Sequence, residues 1–112
     1  MEQPRSLSTP ARGLSIAVGA LNIGDIALHV AIDDVEPLRV TGNVVVILAA
    51  AALLFWPRLR HLLTPVIAAG INLALNLVFI ALEGIGPLGA ILIAATTLLL
   101  IAITLTLRRQ RA

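Results

Sequence analysis

Asp25, His29 and Asp33 follow one another at four-residue intervals inside a stretch otherwise dominated by Ile, Ala, Val and Leu. At about 100° per residue, that interval stacks all three on one helical face, and Ser15, Gly19 and Asn22 fall on the same third of the circumference. An imidazole one turn from a carboxylate is suited to exchanging a proton, because histidine changes charge near physiological pH. A second stretch repeats the plan with amides, placing Asn72 and Asn76 on one face with Glu83. The candidate polar site is therefore Asp25, His29, Asn22, Asn72 and Asn76, with Asp33, Glu83 and Asn43 expected at its outer rim.

A carboxylate well inside a bilayer costs about 2.5–3.5 kcal/mol on insertion scales and has to face protein or water. Two uses of Asp25 follow from that. Asp25 and His29 can handle a proton or a cation, or they can hydrogen-bond each other and the asparagines and so hold helices together. One histidine with scattered carboxylates makes a poor metal site, and none is expected. A haem is not expected either, because His61, the other histidine, belongs at the opposite side of the membrane. The chain has no cysteine, no glycine-rich phosphate loop and no nucleophile–base–orienter set. It does not read as an enzyme, and no cofactor is implied.

The elements that must position these residues are hydrophobic spans. Of 112 residues, 59% are hydrophobic and 12% charged, with a mean hydropathy of +1.02. A soluble domain of this size could not hide so much apolar surface. Four apolar segments stand out, Leu14–Ile32, Leu38–Trp56, Leu62–Leu82 and Pro87–Leu107. Each is long enough to span a hydrocarbon core of roughly 30 Å. The fold class is thus an all-α integral membrane protein, a four-transmembrane-helix bundle. Residues 1–11 read as a flexible tail, 12–61 as a first helical hairpin and 62–112 as a second with a short basic end.

All eight basic residues are arginine. Arg5 and Arg12 precede the first span, Arg58 and Arg60 lie between the second and third, and Arg108, Arg109 and Arg111 follow the fourth. The other two turns carry Asp33, Asp34, Glu36 and Glu83, with Arg39 their one basic residue. The positive-inside rule then places both termini in the cytoplasm, in the plasma membrane, with the acidic turns outside. Arginines beside spans form no free basic face, so nucleic acid is not expected as a partner. Pro37 and Pro87 open the second and fourth spans, where a fixed φ and a missing N–H favour a helix start.

The two halves also overlay on each other at a shift of fifty residues. Asn22 falls on Asn72, Ala31 on Ala81, Asp33 on Glu83, Pro37-Leu38 on Pro87-Leu88 and Arg58 on Arg108. This pattern suggests one hairpin used twice, with both copies in the same orientation. The copies differ where Asp25 and His29 meet Leu75 and Phe79.

Small residues repeat along the face opposite the polar one: Ala17, Ala20, Gly24, Ala27 and Ala31 in the first span, Gly70, Ala74 and Ala81 in the third. Such ridges let helices approach closely in lipid, so Ala20, Gly24, Gly70 and Ala74 are the expected packing positions. On that reading spans one and three are the inner helices and spans two and four the outer pair. The polar groups gather in the outer half of the bilayer, above an aliphatic inner half. Size, span number and an acid in the first span resemble the small multidrug resistance transporters. Those carry a Glu there and an aromatic-rich chamber, whereas this chain has Asp25 and only Phe55, Trp56 and Phe79 as aromatics. The resemblance therefore assigns no residue.

Two functions remain in view. One is a non-enzymatic accessory or assembly subunit, or a homo-oligomeric module, with the bilayer and a larger membrane complex or other copies as partners. The other is a small proton-coupled transporter or ion-conducting unit using Asp25 and His29.

Overall fold

The computed structural model describes residues 7–33, 35–84 and 86–111, with residues 110 and 111 described by their backbone alone. Asp34 and the first six residues of the expected tail lie outside the described residues. The elements are α1 (Thr9–Ala31), α2 (Pro37–Phe55), a 3-10 turn (Pro57–Leu59), α3 (Leu63–Glu83) and α4 (Pro87–Arg111). All four α-helices are long and apolar enough to cross a membrane, as a multi-pass membrane protein requires. Together they make an elongated bundle of 46 × 24 × 20 Å.

Local chemistry sets the helix ends. Ser8 caps α1, its hydroxyl accepting from the Ala11 amide at 3.3 Å, and Pro10 sits in the first turn. Leu7 and Ala11 are buried in the core, so residues 7–11, expected in the tail, belong to the packed bundle. Just past α1, Asp33 takes a left-handed φ of 56°, which a short polar side chain tolerates. Gly84, with φ 77°, ends α3. Pro37 and Pro87 are the first residues of α2 and α4. At the far end of α2, Arg60 folds back to donate from Nε to the Leu53 carbonyl and from Nη2 to that of Leu54, both at 2.7 Å. Two of the carbonyls that a helix C-terminus leaves open are thereby satisfied.

The helices form a ring in which α1 and α3 each pack against α2 and α4, with no sustained contact across either diagonal. This corrects the expectation of an inner pair made of spans one and three. The most buried helix is α2, with 39% of its apolar window inside the bundle against 22–28% for the other three. Its small residues explain that position. The backbone of Gly42 lies so close to α3 that a Cβ there would stand 2.6 Å from Asn72 Oδ1. On the other side, a Cβ on Gly19 of α1 would meet the Ala50 Cβ at 3.4 Å.

The close approaches thus use Gly19, Gly42 and Ala50. They do not use Ala20, Gly24, Gly70 or Ala74, all four of which are exposed. A Cβ on Gly24 or Gly70 would meet nothing within 4 Å. The physical reason is that the polar face of α1 has first claim on the interior: Ser15, Asn22 and Asp25 are buried there. The opposite, small-residue face is then necessarily outside.

The interior has two layers. Leu7, Ala11, Val18, Val46, Ala50, Leu53, Leu100, Ile103 and Leu107 make one aliphatic cluster toward the arginine-rich end. Toward the acidic end lie Asp25, Arg39, Asn43, Asn72 and Asn76, all buried. On α4, Thr104 and Thr106 return their hydroxyls to the carbonyls of Leu100 and Ala102 at 2.8 and 2.7 Å. They form no polar lumen.

Candidate functional site

The site begins with chain geometry. Asp25 lies six residues before the end of α1, roughly 9 Å below it at 1.5 Å per residue. Arg39 is only the third residue of α2. A guanidinium on a long flexible stem covers the difference in height, reaching inward where such side chains usually reach out to the interface. Arg39 Nη2 donates to Asp25 Oδ2 at 3.1 Å, and the side chains are 9% and 4% exposed. Burial to this degree makes the contact a desolvated ion pair, in which each charge depends on the other.

Two more polar groups complete it. Asn43, one turn further along α2, donates from Nδ2 to the same Asp25 Oδ2 at 3.1 Å. His29 Nδ1 lies 2.7 Å from the Asp25 backbone carbonyl and 3.0 Å from Asp25 Oδ1. Its Nε2 faces Arg39 Nη1 at 3.4 Å. Since a guanidinium can only donate, Nε2 is the acceptor and the ring proton sits on Nδ1. That proton takes the nearer carbonyl. Asp25 Oδ1 is then left in electrostatic contact with the ring but without a hydrogen bond, as is Arg39 Nε. Below the guanidinium lies the Phe79 ring of α3, its centroid 5.8 Å from Arg39 Cζ, within cation–π range. The cluster therefore joins α1, α2 and α3.

The expected site residues separate into three groups. Asp25 and His29 meet as their spacing required. Asn22 belongs to another contact, donating to the Val18 carbonyl at 2.8 Å and to Thr96 Oγ1 of α4 at 3.3 Å. Asn72 and Asn76 bond each other, with Asn76 Nδ2 reaching the Asn72 carbonyl at 2.7 Å and its Oδ1 at 3.1 Å, beside Gly42. Asp33 and Glu83 are exposed at the acidic end, whereas Asn43, expected at the rim with them, is buried in the ion cluster. Its position one turn from Arg39, on the face turned toward α1, accounts for that change. Among the described residues no group of three or more His, Cys, Asp or Glu could hold a metal ion.

Sequence reasoning passed over Arg39. The available signal was its isolation as the single base among acidic turns, inside the apolar run of a span. At the fifty-residue shift Asp25, His29 and Arg39 stand opposite Leu75, Phe79 and Gly89, so the second half lacks all three members together. Comparisons with protein families, with curated proteins and with solved structures find no match.

Proposed function

We propose that this protein is a non-enzymatic membrane module that assembles with further copies of itself or within a larger membrane complex. Both termini would be cytoplasmic, and the duplicated hairpin would provide the scaffold. The observation that carries the reading is the division of labour between faces. Arg39 and Asn43 both bond Asp25 inside the bundle, while the small-residue ridges of α1 and α3 remain uncovered. In lipid, association is driven by close packing, and uncovered ridges of Ala and Gly are the surfaces that permit it.

Gly24→Leu and Ala74→Leu test this cleanly, because both positions are exposed and neither substitution enters the core. Each variant should keep the helicity and melting behaviour of the wild type while its particle mass in mild detergent falls toward that of one chain. An unchanged particle mass in both would remove the ridges from assembly.

A second reading draws on the carboxylate oxygen Asp25 Oδ1, buried without a hydrogen bond beside a partly exposed histidine. Such a group is placed to accept a proton, as a proton-coupled transporter or ion-conducting unit needs. Asp25→Asn should then abolish proton flux in proteoliposomes. Flux equal to that of the wild type would exclude Asp25 from any transport mechanism.

A further inference from the structure

We infer that the groove between α1 and α2 at the arginine-rich end is a binding site for an anionic phospholipid. It has a volume of about 290 Å³. Ile16, Gly19 and Ile23 line it from α1, and Ala51, Leu54 and Phe55 from α2. The inference depends on the spans lying in a bilayer but not on the proposed assembly.

The shape comes from sequence. Gly19 and Ala50 allow the two helices to approach, and Ala51 leaves a furrow beside that contact. Exposed Ile16, Ile23 and Phe55 raise its banks. The furrow is apolar throughout, apart from Ser15 in its wall, whose buried hydroxyl makes no hydrogen bond. A slot of this form suits an acyl chain.

Charge at the mouth selects the headgroup. Arg12 falls on the same helical stripe as Ile16, Gly19 and Ile23, one turn nearer the start of α1. Arg58 lies in the 3-10 turn just beyond the end of α2. Both side chains are exposed. All the described acidic residues, Asp25, Asp33, Glu36 and Glu83, lie toward the other end of the bundle. A chain seated in the groove therefore brings its phosphate toward two arginines, with no described acidic residue at this end to compete. Trp56, exposed beside them, is an aromatic of the kind that settles at headgroup level.

Two arginines near an anionic headgroup should contribute about fivefold each, or roughly thirtyfold together, to lipid retention. The experiment uses the full chain in neutral detergent, titrated with phosphatidylglycerol or phosphatidylcholine, with bound lipid counted by native mass spectrometry. The wild type should retain phosphatidylglycerol over phosphatidylcholine. R12Q/R58Q should lose that preference, while R108Q/R109Q, at the same end but on α4, should keep it. Ala51→Phe should fill the furrow and reduce retention although every arginine remains. The groove shares Ala20 with the ridge of α1, so particle mass is measured on Ala51→Phe as well, and lipid lost at unchanged mass separates the groove from assembly. Equal retention of the two lipids by the wild type, equal losses in the two arginine double variants, or undiminished retention by Ala51→Phe would each overturn the assignment.

Discussion

Arg39→Leu should destabilise the bundle by about 3–5 kcal/mol, the range for removing one partner of a buried ion pair. The loss would come less from the missing hydrogen bond than from the carboxylate left behind. Asp25 would keep Asn43 as a donor but have no positive charge within the interior. The one basic group left beside it among the described residues is the His29 ring, whose Nδ1 lies 3.0 Å from Asp25 Oδ1. Asp25→Leu should be costly for the mirror reason, stranding the guanidinium between α1 and the Phe79 ring.

The combined variant Asp25→Leu/Arg39→Leu should recover most of either loss, because it removes both desolvated charges at once. Denaturation by sodium dodecyl sulfate, followed by circular dichroism, measures the four species of this cycle. If the double variant is as unstable as the sum of the single ones, the two residues are not coupled and the site is misread. The same cycle bears on function: a stable, assembled double variant would show that the charges are dispensable for the scaffold.

Gly42→Ala carries the second large effect, about 1–3 kcal/mol of destabilisation from overpacking. The added Cβ would be placed 2.6 Å from Asn72 Oδ1, far inside contact distance. That oxygen cannot simply swing aside, because Asn76 Nδ2 is bonded both to it and to the Asn72 carbonyl. Either the amide pair breaks or α2 and α3 move apart. Adding Asn72→Ala to the variant removes the obstructing atom and should restore a large part of the loss. Gly24→Ala is the control: with nothing near its Cβ it should be neutral or slightly stabilising through helix propensity. Equal melting temperatures for Gly42→Ala and the wild type would mean that the close approach of α2 to α3 is not what holds them.

Much of the architecture was readable from composition and punctuation. Hydrophobic length marked four helices, Pro37 and Pro87 marked two of their starts, and the depth of the polar residues foretold an aliphatic layer beneath a polar one. Side-chain partnership across helices was not readable. Spacing along α1 puts Asp25 with His29, but no periodicity says that a residue fourteen positions on, in another helix, will turn inward to meet them. The small ridges illustrate a different limit. Gly24 and Gly42 are the same residue in similar surroundings of sequence, yet one faces outward and the other lies against Asn72. Whether a small residue serves a neighbour inside the bundle depends on which face the polar groups have already drawn inward.

The position of the Asp25–Arg39 pair bears on how the chain is made. The two residues are separated by fourteen positions and lie within a single hairpin, so both emerge from the ribosome before any of α3. A first helix entering the bilayer alone would carry an unneutralised carboxylate, and a second alone an unneutralised guanidinium. Entering together as a hairpin, they cancel. Synthesis should therefore deliver α1 and α2 to the membrane as one unit, and the second hairpin, with no buried charge of its own among its described residues, can follow without waiting for a partner.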